Sequence, residues 1–269
     1  MSSRPNPMPR FHRWRTNALQ IPLLTVITVV CGSLSLLVSF ADKQGRLQHK
    51  IARFWARALV SGSGSSLRVR GIENLRRCSV AVYASNHTSY MDTPVIFASI
   101  PCQFRILAKK ELWPIAFIGW YLQRSGQIPI DTANPQATVS SLGVGVKALR
   151  AGMPLFVFPE GGRTVDGELK PFLSGAAYLA IRAQVPLMPI ALSGVYDLLP
   201  MHTRHFYPGV VTLSAGEPID TKGMTVRQTE ELTARLRAAI QKLLLDAGDT
   251  TCESVQEGEV PERKGMLVD

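Results

Sequence analysis

The longest apolar stretch of the chain lies near its N-terminus. No charged residue occurs between Arg15 and Asp42, and residues 21–40 are mostly Leu, Val and Ile. Twenty such residues in a helix rise about 30 Å, enough to cross the hydrocarbon core of a bilayer. Basic residues flank both ends, so they do not indicate an orientation across the membrane. A segment of this kind could also dip into the membrane and return, or lie in one leaflet. A signal peptide cleaved after Ser39-Phe40-Ala41 is the alternative, although the apolar run is longer than usual for one.

A second helix is predicted directly afterwards, over residues 47–60. Its apolar positions recur at helical spacing: Leu47, Ile51, Phe54, Trp55, Ala58 and Leu59. Lys50, Arg53 and Arg57 lie on another face. A basic face opposite Trp, Phe and Leu is typical of a helix in the lipid headgroup plane. The same pattern also fits a helix that packs on a protein core, so both interpretations stay open.

From residue 66 onward, short apolar runs alternate with helix-length patterns. The runs suit buried strands at residues 67–70, 79–84, 104–108, 128–130, 155–158 and 187–192. Helices are predicted at 92–100, 135–150, 176–184 and 225–245, with Asn134 as an N-cap and Thr225 and Gln228 as a capping box. This alternation predicts an α/β fold, in which helices flank a central, largely parallel sheet.

The charge distribution divides the chain into three parts. Residues 1–57 hold nine basic residues and one acidic residue, whereas residues 246–269 carry a net charge of −5. We therefore expect a membrane-associating helical segment over 1–60, an α/β domain over 61–245 and a disordered acidic tail over 246–269. The whole chain carries +10, which indicates an anionic partner. Because the positive charge is densest beside the apolar segment, lipid is favoured and nucleic acid is not expected.

Two short segments could carry chemistry, and each follows a predicted strand. In the first, His87 and Asp92 are five residues apart, so a carboxylate in the first helical turn could reach an imidazole in the preceding turn. Such a pair makes a general base, although a purely structural pair fits the spacing equally well. In the second, Gly161 and Gly162 allow close backbone approach to a ligand, and Arg163 offers a planar fork to phosphate. A plain turn is the alternative there.

Several features narrow the possible functions. The four cysteines, Cys31, Cys78, Cys102 and Cys252, are widely separated, which favours a reduced compartment. The sequence contains no Gly-rich dinucleotide motif, Walker loop, nucleophile elbow or His-Glu-x-x-His zinc motif. We expect no metal site, because His202, His205 and Cys102 are more typical of loop and core positions.

Taken in order, the segments resemble the successive blocks of the glycerolipid acyltransferase family, and most closely its bacterial lysophosphatidate acyltransferases. The blocks are Asn86-His87-x4-Asp92, Lys109-Lys110-Glu111-Leu112, Gly126 to Asp131, Phe158-Pro159-Glu160-Gly161-Gly162-Arg163 and Val185 to Ile190. The resemblance covers roughly residues 50–220, and it implies transfer of an acyl chain from acyl-CoA or acyl carrier protein to the sn-2 hydroxyl of lysophosphatidate. It also implies an enzyme at the inner (cytoplasmic) membrane, with its catalytic domain on the cytosolic side, membrane lipid as a partner and no cofactor.

The resemblance assigns roles residue by residue. It implies that His87 is the general base and that Asp92 orients and stabilises its imidazolium, while Lys109 and Arg163 bind the acceptor phosphate. It places the remaining substrate-binding residues at Asn86, Glu160, Gly161 and Gly162.

Two positions depart from the family pattern. Thr132 follows Ile130-Asp131 where the family usually has Arg, and Gly162 stands where it usually has Thr. Loss of the Arg leaves room for another lyso-lipid acceptor, such as a lyso-ornithine lipid. A non-enzymatic basic protein that binds membranes or nucleic acid is the alternative from a different class.

Overall fold

The computed structural model describes residues 14–42, 44–78, 80–201, 203 and 205–248. Within them, seven strands form one sheet: β1 (Ser66–Arg70), β2 (Val82–Ser85), β3 (Arg105–Lys109), β4 (Ile128–Ile130), β5 (Leu155–Val157), β6 (Leu187–Ser193) and β7 (Val210–Ala215). The sheet order is β1-β7-β6-β2-β5-β3-β4, and every neighbouring pair is parallel except the antiparallel pair β6 and β7. The predicted α/β fold with a largely parallel sheet is confirmed.

Nine α-helices complete the described part of the fold. They are α1 (Ile21–Val38), α2 (Arg46–Gly62), α3 (Ile72–Arg77), α4 (Asp92–Ser99), α5 (Ile118–Arg124), α6 (Pro135–Arg150), α7 (Gly175–Ala183), α8 (Val195–Leu198) and α9 (Thr229–Asp246). A π-helical turn at Thr16–Gln20 leads into α1. Short 3-10 turns lie at Lys110–Leu112 and Val226–Gln228.

The core lies on both faces of the sheet. Side chains of α2, α3 and α4 pack on one face, and those of α6, α7 and α9 pack on the other. Successive strand residues alternate between the two cores, as Tyr83 does with Val82 and Ala84. This two-sided burial explains why the strands read as continuous apolar runs in the sequence.

The predicted helix signals are present in the structure. The Asn134 side chain accepts a hydrogen bond from Ala137 N at 3.1 Å, and Pro135 begins α6. Thr225 and Gln228 form a reciprocal capping box, which opens the 3-10 turn that precedes α9. Asp246, which we place in the acidic tail from sequence, is the last residue of α9. Residues 249–269 of that tail lie outside the described residues.

The sequence prediction missed one strand and three short helices. Strand β7 lies between β1 and β6 and pairs antiparallel with β6. Its apolar residues Val210, Val211 and Leu213 could have indicated a strand in the sequence. Helices α3, α5 and α8 are too short to show a helical period.

Helix α2 packs through a different face from the predicted apolar stripe. Its buried residues are Gln48, His49, Ala52, Ala56, Leu59 and Val60, whereas Leu47 and Phe54 of the predicted stripe are exposed. The small side chains of Ala52 and Ala56 let α2 approach the core closely. The ring of His49 lies 5.3 Å from Phe97 and 5.0 Å from Phe104, and its Nε2 bonds Cys102 O at 3.1 Å. The larger apolar residues are thereby left on the outer side of the helix.

Helix α1 packs along α2 and leaves most of its own apolar surface exposed. Gln20 Nε2 donates to Gly62 O at 2.9 Å, and Trp55 Nε1 donates to Thr28 Oγ1 at 3.0 Å. The helical stretch Thr16–Val38 is long and apolar enough to cross a membrane. A contiguous exposed apolar surface of this size indicates a surface that contacts lipid or another protein.

Candidate active site

The candidate residues gather at one edge of the sheet. Strands β2, β5, β3 and β4 are adjacent and parallel, so their carboxyl ends open on the same side. His87 follows β2, Glu160 and Arg163 follow β5, and Lys109 ends β3. Ligands of open α/β sheets bind outside the carboxyl ends of the strands. The topology therefore brings together segments that are far apart in sequence.

His87 and Asp92 form a direct pair. Asp92 is the first residue of α4, and the chain between β2 and α4 turns back so that His87 Nδ1 lies 2.7 Å from Asp92 Oδ2. Because the carboxylate accepts, Nδ1 carries the proton and Nε2 is left as the acceptor. Nε2 has no hydrogen-bond partner within the described part of the chain. The side chain of His87 is 14% exposed, so a substrate can reach it.

The carboxylate of Asp92 is buried and held in place by backbone. Its Oδ2 also accepts hydrogen bonds from Thr88 N at 2.6 Å and Ser89 N at 2.8 Å. The N-terminal position on α4 adds the positive end of the helix dipole. Three donors and a helix terminus on one side of the carboxylate fix its direction toward His87. Its other oxygen, Oδ1, is buried and has no hydrogen-bond partner among the described residues.

A phenylalanine orients the imidazole from a second direction. The rings of His87 and Phe158 stack with centroids 3.8 Å apart and planes 17° apart. Phe158 in turn contacts Phe156 of β5, with centroids 5.2 Å apart. The imidazole therefore has one edge on Asp92 and one face on an aromatic wall, which leaves little freedom of rotation.

Glu160 ties the His87 turn to the loop that carries Arg163. Its Oε1 accepts from His87 N at 2.7 Å, and its Oε2 accepts from Lys170 N at 3.1 Å. A third link is made by Thr164 N, which donates to His87 O at 3.0 Å. Burial raises the pKa of Glu160 to about 7, although the two backbone hydrogen bonds oppose that shift. The structure thus shows Glu160 bridging two loops through backbone.

The side chain of Asn86 bonds the backbone of β6. Its amide donates to Leu192 O at 3.0 Å and accepts from Leu192 N at 2.8 Å. The residue is also 3% exposed. These two bonds fix the His87 turn to β6, and the substrate contact of Asn86 implied by the sequence resemblance stays a prediction.

Arg163 lies over an aromatic ring at the mouth of the site. Its guanidinium carbon is 3.9 Å from the centroid of Tyr90, which lies within the turn between His87 and Asp92. The Nε of Arg163 is buried without a hydrogen-bond partner among the described residues. No described acidic residue forms an ion pair with Arg163 or with Lys109. Both cations are thus available to an anion.

The two glycines shape the loop between these cations. Gly161 has φ +70°, a conformation that side-chain-bearing residues rarely adopt, and a Cβ there would lie 2.9 Å from Leu173 Cδ1. A Cβ at Gly162 would lie 3.6 Å from Lys109 Nζ, which is an ordinary contact. Lys109 therefore reaches the loop of Gly162 and Arg163. Thr132 is exposed just beyond β4, and the neighbouring Asp131 pairs with Lys110.

The geometry suits proton transfer beside an anionic group. It provides a positioned general base, a buried carboxylate behind it and two cations without acidic partners. Among the described residues, no group of three or more His, Cys, Asp or Glu is placed to hold a metal ion.

Comparison with known proteins agrees with this arrangement. The family model described as Acyltransferase matches residues 66–193, from β1 to the end of β6. The matched residues make up just under half of the chain, and over this part the chain is similar to that family. The matched region contains His87, Asp92, Lys109, Glu160 and Arg163.

Three relatives share the name 1-acyl-sn-glycerol-3-phosphate acyltransferase. The chloroplastic LPAT1 protein of Arabidopsis thaliana is 32% identical over 60% of this chain and 45% of its own length. The chloroplastic BAT2 protein of Brassica napus is 29% identical over 66% of this chain and 51% of its own length, so the chain spans about half of these relatives. The enzyme of Saccharomyces cerevisiae is 28% identical over 80% of this chain and 71% of its own length.

One solved structure has the same fold. It is the 1-acyl-sn-glycerophosphate acyltransferase PlsC from Thermotoga maritima, with a TM-score of 0.75 and 24% identity. The match covers 92% of this chain and all of that chain. At this identity the likeness extends to the architecture.

Sequence reasoning missed several contacts of the site. The stacking of Phe158 on His87, the contact of Tyr90 with Arg163 and the bond from His87 N to Glu160 join residues on different strands and loops. Phe158 and Tyr90 both lie inside the motif blocks. Their aromatic side chains, one at a strand end and one in the turn between His87 and Asp92, were the sequence features that could have indicated these contacts.

Proposed function

We propose that this protein is an acyltransferase that moves an acyl chain from acyl-CoA or acyl carrier protein to the sn-2 hydroxyl of lysophosphatidate, which makes phosphatidate for phospholipid biosynthesis. The observation that carries the proposal is the His87–Asp92 pair, 2.7 Å apart, at the same sheet edge as the unpaired cations Lys109 and Arg163. The shared name of the relatives supports the same acceptor.

His87 would act as the general base. The acceptor hydroxyl gives its proton to Nε2 while its oxygen attacks the thioester carbonyl carbon. Asp92 stabilises the imidazolium that forms, because its Oδ2 already accepts the Nδ1 proton. The tetrahedral intermediate then collapses, the C–S bond breaks, and the imidazolium proton passes to the departing thiolate. Because the nucleophile belongs to the substrate, the proposed step forms no acyl-enzyme, and we propose that it needs no cofactor or metal.

Arg163 and Lys109 would bind the acceptor phosphate. A guanidinium offers two parallel N–H donors to phosphate oxygens, and an ammonium adds a compact charge. The stacking of Arg163 on Tyr90 and the reach of Lys109 toward Gly162 support this placement. Glu160, Gly161 and Gly162 shape the loop around the phosphate.

The proposed location is the inner (cytoplasmic) membrane, with the catalytic domain on the cytosolic side. The exposed apolar surface of α1 and the basic residues on both sides of it support association with a membrane. A lyso-lipid in the leaflet would then meet His87 without leaving the bilayer surface.

A second acceptor class is favoured by Thr132. The family usually places Arg at this position, and the missing cation weakens the case for a phosphate acceptor. The test compares kcat/KM of the purified protein for lysophosphatidate, lyso-ornithine lipid and lysophosphatidylcholine, with each thioester donor. Lysophosphatidate should be preferred. A preference of about tenfold, about 1.4 kcal/mol, for either other lipid would overturn the acceptor assignment and leave the acyl-transfer reaction in place.

A further inference from the structure

A second exposed apolar surface spans the connection from β3 to α5 and the first turn of α5. Five large side chains within nine residues are between 36% and 48% exposed: Leu112, Ile115, Phe117, Ile118 and Trp120. We call this set the 112–120 surface. Apart from α1 and α2, the described fold has no comparable concentration of exposed large apolar residues. Scattered exposed apolar residues are ordinary, but a concentrated set marks a binding surface.

The backbone holds this surface in one shape. Phe117 has φ +62°, which is uncommon for a residue with a side chain. Gly119 N donates to Ile115 O at 2.7 Å, and a Cβ at Gly119 would lie 1.8 Å from Trp113 O, so only glycine permits the turn. Strained conformations persist where the surrounding structure fixes them, and they concentrate at functional positions. The fold therefore maintains this apolar surface at a cost in backbone strain.

The surface is continuous with the exposed side of α1. A Cβ at Gly32 of α1 would lie 3.5 Å from Phe117 Cδ1, so the two segments are in contact. At the end of α5, the Arg124 guanidinium carbon lies 4.6 Å from the ring centroid of Phe40, just beyond α1. A membrane or protein that covers the exposed side of α1 would therefore also contact residues 112–120.

The rim of the surface has the composition of a membrane interface. Lys109 and Lys110 precede it and Arg124 follows it, while Phe117 and Trp120 contribute neighbouring rings with centroids 5.3 Å apart. Aromatic residues are enriched at the headgroup level of membranes, and basic residues are attracted to anionic lipid.

We propose that the 112–120 surface lies in the acyl region of the bilayer beside α1 and forms a second lipid contact of the protein. Its first residue, Leu112, follows Lys109 closely in the chain, so a lyso-lipid whose headgroup reaches Lys109 would have its chain against this surface. The proposal rests on membrane association through α1 and requires no particular reaction.

Fluorescent labels on the full chain in vesicles test the proposal. Ile118→Cys and Val226→Cys are each labelled with nitrobenzoxadiazole, in a background with the four native cysteines replaced. Val226 is also exposed, at 44%, but it opens the 3-10 turn before α9, beside the C-terminal end of α7. In vesicles of phosphatidylethanolamine and phosphatidylglycerol, the label at 118 should emit at shorter wavelength and be quenched by acyl-chain nitroxides, whereas the label at 226 should be quenched by aqueous iodide.

A second measurement avoids the cysteine replacements. The double variant Ile115→Glu, Ile118→Glu should bind these vesicles at least tenfold more weakly than the wild type, whereas Val226→Glu should change binding less than twofold. Far-UV circular dichroism in detergent checks that both variants fold. Equal iodide quenching of the labels at 118 and 226 would overturn the proposal, as would unchanged vesicle binding by the folded double variant. If the double variant does not fold, the labels decide.

Discussion

Asp92→Asn separates the charge of the carboxylate from its geometry. In the wild type, Oδ2 accepts from His87 Nδ1, Thr88 N and Ser89 N, while Oδ1 is buried without a partner among the described residues. An Asn can place its amide oxygen at the Oδ2 position and keep all three hydrogen bonds. Its NH2 group then occupies the Oδ1 position. The substitution therefore removes the negative charge and keeps the orientation of the imidazole.

The cost of losing that charge follows from the 2.7 Å distance. Two unit charges at this separation attract by about 6 kcal/mol at an effective dielectric constant of 20. The Asn dipole retains part of this attraction, so we expect a loss of about 3–5 kcal/mol of transition-state stabilisation. At about 1.4 kcal/mol per tenfold change, kcat should fall by about 10²–10⁴. The new NH2 group is buried without an acceptor, which should cost about 1–3 kcal/mol of stability.

The assay measures kcat and KM for acyl transfer to lysophosphatidate, together with Tm of the same preparations. Asp220→Asn is the matched control, because Asp220 also accepts a backbone N–H, from Lys222 at 3.0 Å, but lies outside the site. The control should retain wild-type kcat. A folded Asp92→Asn protein with kcat within threefold of the wild type would refute the role of the charge.

Three further expectations come from neighbouring contacts. Tyr90→Leu should raise KM for lysophosphatidate about two- to fivefold with kcat nearly unchanged, since a cation–π contact is worth about 0.5–1 kcal/mol; Tyr90→Phe keeps the ring and should match the wild type, and equal KM values for both variants would contradict the role of the ring under Arg163. Burial raises the pKa of Glu160 to about 7, so the folded state holds this proton more tightly than the unfolded state. The wild type should therefore lose on the order of 3 kcal/mol of stability as pH rises from 4.5 through 7. Thermal unfolding of Glu160→Gln should lack this pH dependence, and the same pH dependence in both proteins would contradict the role of Glu160. Burial lowers the pKa of His49 to about 4, so stability should fall as pH drops from 6.5 toward 4; His49→Phe should flatten this acid limb, and an unchanged limb would assign it to other groups.

Much of the fold could be predicted because its strands are buried on both faces. Parallel strands covered by helices read as continuous apolar runs, which located β2 to β6, and Asn134 and Thr225 marked helix starts chemically. Strand β7 was missed because its place in the sheet depends on pairing with β1 and β6, which are distant in sequence. The sequence pattern left open whether the apolar stripe of α2 faces lipid or the core, and the structure buries the side of Ala52 and Ala56 because close packing favours small residues.

The candidate site was predictable only where its contacts are local. His87 and Asp92 are five residues apart, so a turn could be expected to join them. Glu160 bonds a residue 73 positions away, and Asn86 bonds one 106 positions away. No spacing rule reveals such contacts, because they arise from the order of strands in the sheet. The sequence therefore indicated which residues carry chemistry, and the structure showed which of them hold the others in place.

The central claim is that His87 removes the proton of the acceptor hydroxyl, and turnover by purified His87→Ala tests it most directly. The measurement is kcat for acyl transfer to lysophosphatidate in vesicles, with vesicle binding and Tm recorded on the same preparation. A general base contributes about 10²–10⁴ in rate, so kcat should fall by at least 10² while vesicle binding and folding persist. Near wild-type turnover by the folded, membrane-bound His87→Ala protein would contradict the account.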